Sequence, residues 1–236
     1  MENTKIKFLL GFVILFSIVG AYSLNKVYRE IKILQDLRDN RYVMILKAHE
    51  LINSMDNLTN FSRSYVVTAN ETYKNNYYDV MDIRDGIIER PYYYDGVYWD
   101  IIEPTRSQRH RKNTKESLYD ALNKLPFEKN EFKLLEKSKK IYPTLLDLEQ
   151  KALDTLDNDQ DKKKAIAILY SQEYSLLKSK VMLPLDDFLF LVTKRTSIEI
   201  KDNSRTLNLS IYLLILSLFM LIMSIIFLLI HYRKKS

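Results

Sequence analysis

LNLSIYLLILSLFMLIMSIIFLLI, from Leu207 to Ile230, runs for 24 residues without a charged side chain. At about 1.5 Å per residue a helix of this length crosses a hydrocarbon layer of roughly 30 Å with some tilt, so the stretch reads as a transmembrane helix. A shorter companion, FLLGFVILFSIVGAYSL, occupies Phe8 to Leu24. Its 17 residues sit at the lower limit of a span, which Lys7 extends by snorkelling and the amphipathic continuation past Asn25 extends on the other side. A cleavable signal peptide is the competing reading, because Lys5 and Lys7 precede the run and Val19-Gly20-Ala21 resembles a cleavage point. Against it, the helical pattern continues through that point without a turn signal.

Lys5 and Lys7 before the first run, and Arg233, Lys234 and Lys235 after the second, orient both ends towards the cytoplasm. The expected organisation is a cytoplasmic N-terminus (1–7), a first span (8–24), an extracytoplasmic segment (25–206), a second span (207–230) and a basic cytoplasmic tail (231–236). With the five flanking cations and Glu2 set aside, 31 basic and 29 acidic residues remain. The net charge of +6 is therefore mostly orientation charge, and nucleic acid is not an expected partner; membrane lipid is. The chain has no cysteine, which excludes disulfides, thiol catalysis and thiolate-bound metal.

With only 4 Gly and 5 Pro in 236 residues and long stretches of helical period, the expected fold is all-α: a membrane-anchored helical bundle whose first and last helices continue into the two spans. Val27, Ile31, Leu34, Ile45, Ala48, Ile52 and Met55 fall in one alternating three-four frame, with Arg38 and Arg41 in the intervening slots. Asn70 is the expected cap of a second helix over Tyr73 to Ile88, ended by Arg90-Pro91. An aromatic loop (Pro91 to Asp100) follows, then helices over Thr105–Leu125 and Glu128–Leu156. Asp157 to Asp161 read as a loop, Lys162–Tyr170 as a short helix, and Gln172 onward as a helix entering the second span. Pro143 and Pro184 are expected to bend their helices.

Leu58 to Thr68, Tyr73, Tyr77-Tyr78, Asp82 to Gly86, Arg90-Pro91 and Tyr98-Trp99-Asp100 form one block of residues that carries a resemblance. Phe132 to Leu135, Leu148-Glu149, Ala167 to Leu169, Glu173-Tyr174, Lys178, Lys180 to Met182, Pro184, Asp187-Phe188 and Arg195-Thr196 form a second. Together they resemble the extracytoplasmic sensor region of bacterial membrane receptors: hybrid sensor histidine kinases, diguanylate cyclases and chemoreceptors. The resemblance implies a periplasmic input module in the bacterial inner membrane, working as a homodimer and passing a ligand-driven helix shift to a cytoplasmic signalling output. The sequence departs from that plan after His231 to Ser236, where no output domain follows. The expectation is therefore an input fragment of a longer receptor, or a protein that acts on a separate signalling partner.

Arg63, Tyr65, Tyr77, Tyr78, Arg84, Tyr98, Trp99 and Asp100 are the candidate ligand-binding residues, since guanidinium forks beside aromatic faces suit carboxylates and other planar anions. The same residues also serve internal packing, with Trp99 and the tyrosines stapling a loop to the bundle and the arginines paired to Asp82, Asp85 or Asp100. The basic run Arg106, Arg109, His110, Arg111 and Lys112 reads as a solvated face or an anion contact. His49, His110 and His231 lie on different expected elements, and Asp157, Asp159 and Asp161 lack the glycine and distal glutamate of a calcium loop, so neither metal nor cofactor is expected. No nucleophile elbow, phosphate loop or zincin motif occurs, and the expected protein is not an enzyme. The sequence thus points to a two-span sensory input module for an unknown small ligand or periplasmic protein. The alternative is a membrane-anchored adaptor that binds a periplasmic or membrane partner and transmits nothing.

Overall fold

Every regular element among the described residues is helical, because glycine and proline are too scarce to punctuate strands and the apolar side chains recur with helical period. The computed structural model describes residues 2–91, 94, 98, 99 and 115–233. In chain order the helices are α1 (Glu2–Thr68), α2 (Glu71–Arg84), α3 (Leu118–Asn123), α4 (Lys129–Asp159), α5 (Lys162–Leu169) and α6 (Gln172–Arg233). No strand occurs among the described residues.

Local chemistry accounts for the breaks. The α1–α2 turn places Ala69 at φ 55°, and Asn70 accepts from the Thr72 amide at 3.0 Å, capping α2. That helix stops at Arg84, earlier than the Ile88 expected from sequence, because Gly86 turns the chain at φ 75°. A Cβ on Gly86 would also lie 2.6 Å from the Ser117 amide nitrogen, so the close approach of residues 116–117 requires glycine there. Ser117 caps α3 through the Asp120 amide (3.0 Å), so residues 115–117 are not helical and the expected continuous helix over 105–125 is corrected to Leu118–Asn123 within the described residues. At the start of α4 the Glu128 amide donates to the Glu131 carboxylate at 2.8 Å. The Asp157–Asp161 loop is also shorter than expected: α4 continues to Asp159, and Gln160 at φ 50° makes the turn before Asp161 caps α5. Pro143 and Pro184 both lie inside unbroken helices.

The chain divides into two compact units. The first comprises residues 1–39 and 195–236, the second residues 40–194. In the first, α1 and α6 carry the two stretches long and apolar enough to cross a membrane, and large side chains such as Phe8, Ile18, Leu209 and Phe219 stand outward. What these helices bury against each other is mostly small. Ser210, Ser217 and Ser224 recur every seven residues on α6, preceded in the same register by Thr196, while Gly20, Ser23, Val27 and Leu34 face inward on α1. A Cβ on Gly20 would sit 3.5 Å from Ser217 Oγ, which places the two helices side by side. The α6 serines donate to their own helix, Ser217 to the Leu214 carbonyl at 2.8 Å and Ser224 to that of Met220 at 2.8 Å. They therefore lower the separation between backbones without needing a partner across the seam.

The second unit has a conventional apolar core. Met44, Ala48, Leu51, Met55 and Leu58 from α1 pack with Val80 from α2, Leu135 and Leu145 from α4, Leu169 from α5, and Val181, Leu185 and Phe188 from α6. One of the two apolar rows read on α1 is displaced. Ala48 and Met55 are buried as expected, but their companions are Met44, Leu51 and Leu58; Met44 and Leu51 stand one position before Ile45 and Ile52, which are only half-buried. Ile31 and Arg38 of the same expected row are exposed. A three-four pattern defines a stripe, and which flank of that stripe is covered depends on where neighbouring helices lie.

Candidate functional site

The seven candidate ligand residues that are described, all but Asp100, are dispersed among separate packing contacts. Arg63, on α1, reaches the last carbonyl of α5: its Nη2 donates to the Leu169 oxygen at 2.9 Å, a favourable place for a cation at a helix C-terminus. Its guanidinium stacks 4.8 Å from the Tyr170 ring and 5.2 Å from that of Tyr174. Tyr65 donates to Asp157, which also holds Lys74 at 2.6 Å, and Lys74 lies over the Tyr65 ring. Partial burial opposes the ionisation of Asp157, but hydrogen bonds from Lys74 and Tyr65 outweigh it and hold the carboxyl below its usual range. Tyr78 exchanges hydrogen bonds with the Gln150 amide at 3.1 and 3.2 Å.

Arg84 is buried at the other end of α2. It donates to the Tyr142 hydroxyl, lies over the Tyr142 ring and pairs with Asp85 at 2.9 Å. Tyr98 is buried against Trp99, whose ring meets Phe61 edge-on at 5.2 Å, so this pair staples its segment to α1. Asp100, like the basic run Arg106 to Lys112, lies outside the described residues. Arg63 and Tyr65 thus work beside the α4–α5–α6 turns and Arg84 beside the middle of α4. Each guanidinium is already engaged by partners within the unit.

Tyr77 leads to an arrangement whose other members, Thr59, Glu149, Tyr174 and Lys178, enter the sequence reading only through the resemblance, with no role given to them. Its hydroxyl donates to Glu149 Oε2 at 3.2 Å, and Glu149, on α4, is 1% exposed. The other carboxylate oxygen accepts from Tyr174 of α6 at 2.5 Å and from Thr59 of α1 at 3.2 Å. Tyr174 and Thr59 are themselves 3.0 Å apart, and Thr59 Oγ1 also lies 3.1 Å from the Met55 carbonyl. Lys178 Nζ approaches Thr59 Oγ1 at 3.0 Å while paired to Asp56 at 2.8 Å. Four of the described helices, α1, α2, α4 and α6, therefore meet on one carboxyl group. Burial raises the Glu149 pKa, and the bonds from Tyr174, Thr59 and Tyr77, with the charge of Lys178, offset only part of that rise. Burial beside Glu149 likewise pushes the phenols of Tyr77 and Tyr174 upward, so both stay protonated donors.

A signal for this node was present in the sequence. Leu135, Ser138, Tyr142, Leu145, Glu149 and Ala152 form an alternating three-four row on α4, all buried, with Glu149 in a slot that apolar residues otherwise fill. Lys178 occupies the corresponding kind of slot on α6, between Tyr174 and Val181. Outside the node, a shallow polar depression along α4 is lined by Asp147, Gln150, Lys151, Asp154, Thr155, Asn158 and Asp159. Among the described residues no three His, Asp or Glu side chains converge as a metal site.

Comparison of the chain with models of protein families, with curated proteins and with solved structures finds no match.

Proposed function

We propose that the chain is a non-catalytic sensory input module of the bacterial inner membrane, spanning it twice with both termini cytoplasmic and the helical unit periplasmic. The observation that carries this reading is the Glu149 node. It joins Thr59 of α1 to Tyr174 of α6, and α1 and α6 are the helices that also contain the two membrane-competent stretches. A change of packing in residues 40–194 therefore acts on the helices suited to carry a displacement to a cytoplasmic signalling partner. Homodimerisation belongs to this proposal, since two copies let one event alter the relation between paired cytoplasmic ends.

The test uses the full chain in lipid nanodiscs with spin labels at Lys7 and Tyr232. Disrupting the node by Glu149→Ala is expected to change the distance distribution between these labels, with helix content retained. An unchanged distribution overturns the signalling reading. It would favour the alternative of an adaptor that docks a periplasmic or membrane protein, a reading supported by the internal engagement of Arg63, Tyr65 and Arg84.

A further inference from the structure

The hydroxyls around Glu149 allow two hydrogen-bond arrangements, one for each protonation state of the carboxyl. With the carboxylate ionised, Tyr174 and Thr59 both donate to Oε1 and Tyr77 donates to Oε2. With the carboxyl protonated, a complete chain runs the other way: Glu149 donates to the Tyr174 oxygen across 2.5 Å, Tyr174 to Thr59 across 3.0 Å, and Thr59 to the Met55 carbonyl across 3.1 Å. Each hydroxyl has one proton to give, so the two arrangements exclude one another. In the ionised state the Met55 carbonyl loses its Thr59 donor, and a buried charge is held by neutral dipoles.

The charged and titratable groups facing Glu149 leave that charge without a direct ion pair. From α6 come Tyr174 and Lys178, from α2 Tyr77 and from α4 itself Tyr142, while Asp56 and Arg63 of α1 stand one contact further out, against Lys178 and the Tyr174 ring; the buried residues of α5, Ala165 and Leu169, are apolar. Lys178 is engaged by Asp56, and Arg63 by the Leu169 carbonyl. Asp56 is half exposed, so the sequence Asp56, Lys178, Thr59 forms a polar route from solvent to the carboxyl.

We propose that Glu149 is a proton-operated clamp on α1 and α6, tight when protonated and loosened when ionised. For the sensory module proposed above, the proton of the surrounding compartment is then the cue, and this consequence rests on that reading. The raised pKa of the buried carboxyl agrees in direction: the folded unit holds this proton to higher pH than the unfolded chain does.

The experiment is a pH titration of the full chain in nanodiscs, with one spin-label pair at Asn53 and Ser179 and a second at Lys7 and Tyr232. The near pair is expected to change its distance distribution with a midpoint above the ordinary glutamate value of about 4.3. Glu149→Gln, which keeps the shape and removes the charge, is expected to hold the acid-side distribution at every pH. A near pair that ignores pH, or a Glu149→Gln chain that titrates like the parent, overturns the clamp. Infrared spectroscopy of the parent chain is independent of how the variant folds, and absence of a protonated-carboxyl band between the ordinary glutamate value of about 4.3 and that midpoint also overturns it. A near pair that moves while the far pair stays still upholds the clamp and removes the sensory reading; movement of both upholds both.

Discussion

The seam at Gly20 and Ser217 and the node at Glu149 both put polar side chains out of reach of solvent, and they use them in opposite ways. Along the seam the α6 serines are satisfied within their own helix, and where Gly20 meets Ser217 the residues are too small to hold the backbones apart. Around the node they reach across, so that Thr59, Tyr77, Tyr174 and Glu149 join four helices. The proposed membrane topology would account for the difference: between helices in lipid, association depends on close approach, whereas in a water-surrounded bundle apolar burial drives assembly and buried polar groups need partners.

That contrast can be broken at several points. The largest effect is expected from Phe188→Ala, which empties a buried site packed 5.0 Å from Phe127 and should destabilise the second unit by about 3–5 kcal/mol, read as a lower melting temperature of the full chain. Next is Gly86→Ala, where a left-handed φ and the 2.6 Å approach of Ser117 combine; a loss of about 1–3 kcal/mol is expected in the same measurement. In the first unit the informative pair is Ser217→Ala and Ser217→Leu. The alanine variant should change little, because the lost bond is local, whereas leucine should separate the helices and cost about 1–3 kcal/mol. Equal effects of the two would mean that the hydroxyl, not its size, matters.

The two carboxyls Asp157 and Glu149 sharpen the comparison through pH. Asp157 has a lowered folded pKa, so its contribution is complete above about 3.9 and is lost as pH falls through the lowered value. Glu149 has a raised one, so the stability it confers is complete below about 4.3 and declines as pH rises through the raised value. Chemical unfolding across pH should show Asp157→Asn removing the acid-side loss and Glu149→Gln removing the decline towards neutrality. The smallest effect is expected from Ala69→Gly, which relieves a left-handed residue at the α1–α2 turn and should stabilise by about 0.5 kcal/mol.

Most of the helical plan was legible in the residues because it depends on local chemistry. Asn70 caps α2 whatever packs upon it, and Asp161 does the same for α5. The end of α2 was misplaced because Arg90-Pro91 was read as its terminator, when the approach of residues 116–117 demands the glycine at 86 that ends it earlier. The candidate ligand residues were chosen by type, and type does not say whether Arg63 faces a ligand or the Leu169 carbonyl.

What the sequence determined by itself is the all-helical class, the two membrane-competent stretches and most helix boundaries, all consequences of composition, period and capping within a few residues of each site. Only the tertiary structure decided that Met44 and Leu51 rather than Ile45 and Ile52 turn inward on α1, and that Glu149 meets Thr59, Tyr77 and Tyr174. Those outcomes depend on contacts 72 and 90 residues apart in the chain. Helical period supplies a stripe; the direction each side of it faces is set by the neighbours that close over it.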